Sequence, residues 1–126
     1  MPNLTPRILI VEDSLFFRAL FSKMLQKLWP DMLVDENVDG CNVVEWVNSC
    51  PPDIIFMDIH LPMANGLELT KEIKTVHPSI PVVVVTGHDF LEYSETAKSA
   101  GADFFLKKDE LNASTLKAIF DGLVFV

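Results

Sequence analysis

Five short apolar runs recur along this chain, each followed by a stretch whose apolar residues return with helical spacing. This alternation constrains the fold more than any other feature. The runs fall at residues 8–11, 33–35, 54–57, 82–85 and 104–106. Their β-branched content, and the lack of polar alternation in three of them, suit strands covered on both faces. The run at 33–35 is weaker and flanked by polar residues, which predicts an edge strand. The amphipathic stretches predict helices over 14–28, 42–48, 67–76, 91–100 and 111–123, with no repeat, low-complexity tract or linker between them. Parallel strands joined through helices cross over right-handedly. The pattern therefore predicts a doubly wound α/β fold, five parallel strands with helices on both faces, whose ligand crevice opens at the carboxyl ends of the strands.

The first helix shows how it meets the sheet. At about 100° per residue, Phe17, Leu20, Phe21, Met24, Leu25 and Leu28 share one arc, and Arg18, Ser22, Lys23, Gln26 and Lys27 share the other. The aromatic arc is expected to pack on the sheet.

Composition narrows the function classes. The 126 residues suit one domain over 1–126, and 49% hydrophobic against 22% charged residues exclude intrinsic disorder. Eighteen acids against ten bases give a net charge of −8, which opposes direct binding of nucleic acid or of an anionic membrane surface. No apolar stretch approaches the roughly 20 residues of a membrane helix, and the first residues lack a signal-peptide core, so a soluble cytoplasmic protein is expected. Cys41 and Cys50 are too few for a disulfide framework and lack zinc-site spacing; buried, small-hydrophobe roles are expected for them.

Chemistry collects at the strand ends. Glu12 and Asp13 follow the first run, Asp58 the third, Thr86 the fourth, and Lys107 or Lys108 the fifth. Three carboxylates meeting in a partly desolvated cleft repel one another unless a cation joins them, and all-oxygen ligation suits Mg²⁺ better than zinc. A hydroxyl and an ammonium opposite Asp58 would receive an anion delivered to that carboxylate, which fits phosphoryl transfer with Asp58 as nucleophile. Taken singly, each residue has a plainer role. Asp13 and Ser14 could cap a helix, Asp58 could serve a turn, Thr86 could cap, and a strand-end lysine could be solvated. Their shared location carries the chemical reading.

With these residues in place, the sequence resembles the response-regulator receiver domain of two-component signalling along essentially its whole length. The resemblance rests on ILIVEDS at 8–14, DIIFMDIHLPMANGLEL at 53–69, PVVVVTGH at 81–88 and GADFFLKKD at 101–109. It implies the flavodoxin-like strand order 2-1-3-4-5. It also implies that Asp58 is the phosphoacceptor, taking a phosphoryl group from the phosphohistidine of a histidine kinase or histidine phosphotransfer protein to give an acyl phosphate. Asp13 would ligate Mg²⁺ directly, Glu12 through water, and the backbone carbonyl of His60 would complete the protein ligands. Thr86 would bond a phosphoryl oxygen, beside a small Gly87. Counting from Gly101-Ala102, the family places an aromatic residue four positions on and a lysine three beyond that, which selects Phe105 and Lys108.

The same resemblance implies a switch. Phosphorylation replaces one negative charge with roughly two. Thr86 is drawn toward the phosphoryl group, and Phe105 moves into the vacated space, changing the surface of helix four, strand five and helix five. Lacking a hydroxyl, Phe105 would signal by packing alone. Asp109 stands where many receivers have proline, and a cis peptide there would cost about 3 kcal/mol, so a trans bond is expected. His60 and His88, each two residues beyond a site residue, flank the entrance, while His77 before Pro78 is expected to end a helix. In the loop from Leu61 to Gly66, proline fixes one φ and glycine permits a positive one. Leu15 and Phe16, off the core arc beside the acid pair, suggest a docking surface for the phosphodonor. The receiver would be a signalling domain that catalyses only its own phosphorylation and dephosphorylation, acting on a downstream protein or a fused output domain. The alternatives are a phosphorylation-independent interaction module and a small Mg²⁺-dependent phosphohydrolase.

Overall fold

The structure, a computed structural model, describes residues 6–87 and 90–123, with the backbone alone for Phe90. Five parallel strands form one sheet: β1 (Arg7–Val11), β2 (Leu33–Asn37), β3 (Ile54–Asp58), β4 (Val82–Thr86) and β5 (Phe104–Lys107). Their order is β2-β1-β3-β4-β5. The helices are α1 (Leu15–Leu28), α2 (Val43–Ser49), α3 (Gly66–Val76), α4 (Phe90–Ser99) and α5 (Ala113–Asp121). A 3-10 turn at Lys108–Glu110 precedes α5, where the sequence predicted helix from 111. Against expectation, α1 and α2 begin one residue later, α3 and α4 one residue earlier, and α5 two residues later. The Ser14 side chain accepts from the Phe17 amide, and the Asn65 side chain accepts from the Leu67 and Glu68 amides.

Successive strand residues face opposite sides of the sheet, which divides the core in two. Ile8, Ile10, Ile54, Phe56, Val83 and Val85 pack with Phe21 and Leu25 of α1 and with Leu116, Ile119 and Phe120 of α5. Leu9, Val11, Ile55, Met57, Val82 and Val84 pack with Val43 and Val47 of α2, Leu67 and Ile73 of α3, and Ala97 of α4. Strands β3 and β4 are buried along their whole length, as their unbroken apolar runs require, whereas β2 is the half-exposed edge.

Four expectations need correction. Arg18, assigned to the outer arc of α1, is buried, because its guanidinium bonds the Glu12 carbonyl and the Glu36 carboxylate. Leu20, assigned to the inner arc, is 51% exposed. Cys41 is exposed and Cys50 only half-buried, both as free thiols: α2 is a short helix that buries Val43 and Val47 instead. Gly66 does not take a positive φ; Gly40 and Gly101 do. Among the described residues there is no cis peptide bond and no helix long and apolar enough to cross a membrane.

Candidate functional site

The order of the strands places a crevice between the carboxyl ends of β1 and β3, where the chain turns from building one half of the sheet to building the other. Register then determines which side chains meet there. Val11 of β1 lies beside Met57 of β3, so Glu12 and Asp58, one step further along each chain, adjoin. Asp58 pairs with Val85, which sets Thr86 one step beyond, and Thr86 pairs with Lys107.

Carboxylate oxygens of Glu12, Asp13 and Asp58 lie within 4.8 Å of one another. Glu12 and Asp58 are buried and Asp13 is exposed. Lys107 is the last residue of β5 and exposed, whereas Lys108 opens the 3-10 turn and bends back into the pocket. Its Nζ stands 2.9 Å from Glu12 Oε1 and 3.7 Å from Asp58 Oδ2, and 4.8 Å from the centroid of the Phe17 ring. The sequence run at 104–106 leaves either lysine as a candidate; in the structure β5 ends at Lys107, between the two.

Burial, and then the neighbouring Glu12 carboxylate, push the Asp58 carboxyl up from its ordinary 3.8 to about 7, with Lys108 acting in the opposite direction. Among the described residues, three carboxylates thus face one ammonium, and the pocket is short of positive charge. A hard divalent cation on an all-oxygen donor set is what this chemistry fits, and Mg²⁺ is such an ion.

The other expected residues are placed as follows. Thr86 is fully buried, and its Oγ1 has no hydrogen-bond partner among the described residues. Phe105 is half-buried against the α2–α4 side of the core and pairs with Val84. His60 is exposed, its ring 5.5 Å from that of Tyr93 and edge-on to it. His77 is the C-cap of α3, with Nε2 2.8 Å from Asn48 Oδ1. A Cβ on Gly87 would meet nothing within 4 Å. Leu15 and Phe16 are 72% and 79% exposed beside Asp13. His88 lies outside the described residues.

For two residues that the sequence reading named, it missed the part they play in shaping the pocket. Arg18 donates to the Glu12 carbonyl at 2.8 Å and to Glu36 Oε1 at 2.9 Å, tying the end of β1 to β2. Its signal was its place one helical turn after the Ser14 cap, which turns it back over β1. Gly66 packs against the backbone of Asp58 and is needed for closeness rather than for φ.

Known proteins are similar to this chain in sequence and in fold. A family model described as the response regulator receiver domain matches residues 8–120. The chain is 32% identical over 117 residues to the chemotaxis protein CheY of Halobacterium salinarum, covering 93% of this chain and 96% of that protein. It is 34% identical over 110 residues to the transcriptional regulatory protein DegU of Brevibacillus brevis, covering 87% of this chain but 46% of that one. It therefore spans nearly all of one relative and less than half of the other. Among solved structures, a CheY-like receiver domain protein from Methanospirillum hungatei JF-1 superposes with a TM-score of 0.82 at 25% identity, covering 93% of this chain and 91% of that one. The receiver domain of NtrX from Brucella abortus gives 0.78 at 30% identity, covering 90% and 94%. Strand order, the acidic pocket and these matches agree, and the chain belongs to the response regulator receiver domain family of two-component signal transduction.

Proposed function

We propose that this chain works as a single receiver unit in the cytoplasm. It accepts a phosphoryl group on Asp58 from the phosphohistidine of a histidine kinase or histidine phosphotransfer protein. The observation that carries this reading is the meeting of Glu12, Asp13 and Asp58 within 4.8 Å, with the Lys108 ammonium against two of them.

An Asp58 carboxylate oxygen attacks phosphorus and forms the new P–O bond. The P–N bond of the donor breaks, and its electron pair stays on the imidazole nitrogen. Lys108, already between Glu12 and Asp58, needs only a small swing to meet an incoming phosphoryl oxygen. The hydroxyl of Thr86, without a hydrogen-bond partner among the described residues and at the end of the adjacent strand, supplies a further donor. Glu12, Asp13, Asp58 and the His60 carbonyl would hold Mg²⁺, which when bound supplies the positive charge that the carboxylates and phosphoryl oxygens share. Burial of Glu12 and Asp58 limits the water around the reacting carboxylate.

The register of the sheet supports the switch reading. Thr86 lies two residues beyond Val84, so the two share a sheet face, and Val84 pairs with Phe105. Drawing Thr86 toward the phosphoryl group frees space on that face for Phe105. The surface of α4, β5 and α5 changes with it, to be read by a downstream protein or fused output domain. Leu15 and Phe16, exposed beside Asp13, would meet the phosphodonor.

Incubation with acetyl phosphate and Mg²⁺, followed by intact mass, tests the reading. The expected result is one labile phosphoryl group, absent in Asp58→Asn, with uptake slowed far more by Lys108→Ala than by Lys107→Ala. No uptake would leave an interaction module, and turnover of many equivalents would mean a phosphohydrolase.

A further inference from the structure

The lysine of the pocket rests on an aromatic face. We infer that Phe17 is a positioning residue for the proposed phosphoryl transfer: its ring holds the Lys108 ammonium between Glu12 and Asp58. The inference depends on Asp58 being the acceptor, and its test separates the two.

Lys108 reaches the pocket on a flexible four-carbon stem from a 3-10 turn, and its side chain stays 26% exposed. Among the described residues its short ion-pair contact is to Glu12 at 2.9 Å; Asp58, at 3.7 Å, is beyond good hydrogen-bond distance. These two carboxylates alone leave the stem free to sample other rotamers. The Phe17 ring, 4.8 Å from Nζ, closes a third side. A ring face attracts a cation through its quadrupole without demanding a particular N–H direction, so the ammonium keeps its hydrogens for the carboxylates and for an arriving phosphoryl oxygen.

The ring is itself held in place. The Phe17 amide donates to the capping Ser14 hydroxyl at 3.2 Å, and its ring lies 5.9 Å from that of Phe21. Phe21 stands edge-on at 4.7 Å to Phe56, two residues before Asp58 on β3. Aromatic packing thus references the lysine's platform to the strand that carries the acceptor. The helical pattern accounts for Phe17 as a core residue, yet it is only half-buried, with one side in the core and the other under Lys108.

Two measurements test the inference. In the free protein, without metal or phosphodonor, NMR should show the Lys108 ε-methylene protons shifted upfield by the ring current, a shift abolished in Phe17→Leu. Uptake from acetyl phosphate should slow about fivefold in Phe17→Leu and stay within about twofold of wild type in Phe17→Tyr and Phe17→Trp. In a Lys108→Ala background, Phe17→Leu should have no further effect. Ordinary Lys108 shifts in the wild type, or an equal Phe17→Leu effect with Lys108 absent, would overturn the positioning role. Should Phe17→Leu not fold, Phe17→Met replaces it, and the wild-type ring-current shift still decides. Uptake by wild type with unchanged uptake by Phe17→Leu defeats only the inference. Failure of wild type to take up phosphoryl groups defeats the acceptor reading and the kinetic role of Phe17 with it.

Discussion

A Cβ on Gly66 would stand 1.9 Å from the carbonyl oxygen of Asp58. The first residue of α3 is therefore seated directly against the backbone of the proposed acceptor, and its amide donates to the Ile59 carbonyl at 2.8 Å. No side chain fits without moving α3 away from β3. Gly66→Ala is expected to cost on the order of 3 kcal/mol by urea denaturation. Gly87→Ala, whose Cβ would meet nothing within 4 Å, should stay within about 0.5 kcal/mol of wild type.

The raised carboxyl of Asp58 has a sign that can be checked. Its ordinary value is 3.8 and its folded value about 7, so between these the folded state holds more protons than the unfolded one. The contribution of Asp58 to stability is fully present below about pH 4 and is lost as pH rises to 7. Asp58→Asn removes this loss. In metal-free buffer the variant should be more stable than wild type at pH 8, by on the order of 2 kcal/mol, with the difference shrinking toward pH 4. Equal slopes of stability against pH in the two proteins would show that the group titrates normally.

A pocket with three carboxylates and one ammonium should bind a divalent cation in the folded state only. At pH 8, Mg²⁺ at a hundred times its Kd should stabilise the protein by about 2.7 kcal/mol, read as a rise in Tm that chelation with EDTA reverses. Asp13→Asn should weaken the effect strongly, because Asp13 is the exposed acid through which the pocket opens to solvent. A rise in Tm that survives in this variant would place the cation elsewhere.

Arg18 offers a test on the opposite side of the pocket. Replacing it by alanine leaves the Glu12 carbonyl and the Glu36 carboxylate without their guanidinium, and a loss of about 2–3 kcal/mol in chemical denaturation is expected. Lys23→Ala and Lys27→Ala, on exposed positions of the same helix, should change stability by less than about 0.5 kcal/mol. The helical wheel alone predicts no such distinction, since it groups all three basic residues on one arc.

Some of this molecule is written locally. The apolar run Val82–Val85 can be covered only from both sides, and Ser14 before Leu15 states where α1 begins, because burial period and capping are properties of neighbours along the chain. The acidic pair Glu12-Asp13 and the isolated Asp58 were visible as strand-end residues for the same reason. Their meeting is a matter of register, since Val11 beside Met57 is a pairing between segments 46 residues apart that no local pattern encodes. Lys108 is distinguished from Lys107 by where β5 stops and a 3-10 turn begins. Gly66 owes its necessity to a strand eight residues earlier, and Arg18 is drawn inward by a carbonyl and a carboxylate that the helix wheel cannot see. Sequence by itself determined the layers and the residue types available at one edge of the sheet. Tertiary structure decided which of them touch, because hydrogen bonds and ion pairs act over a few ångströms and only the folded sheet brings distant segments that close.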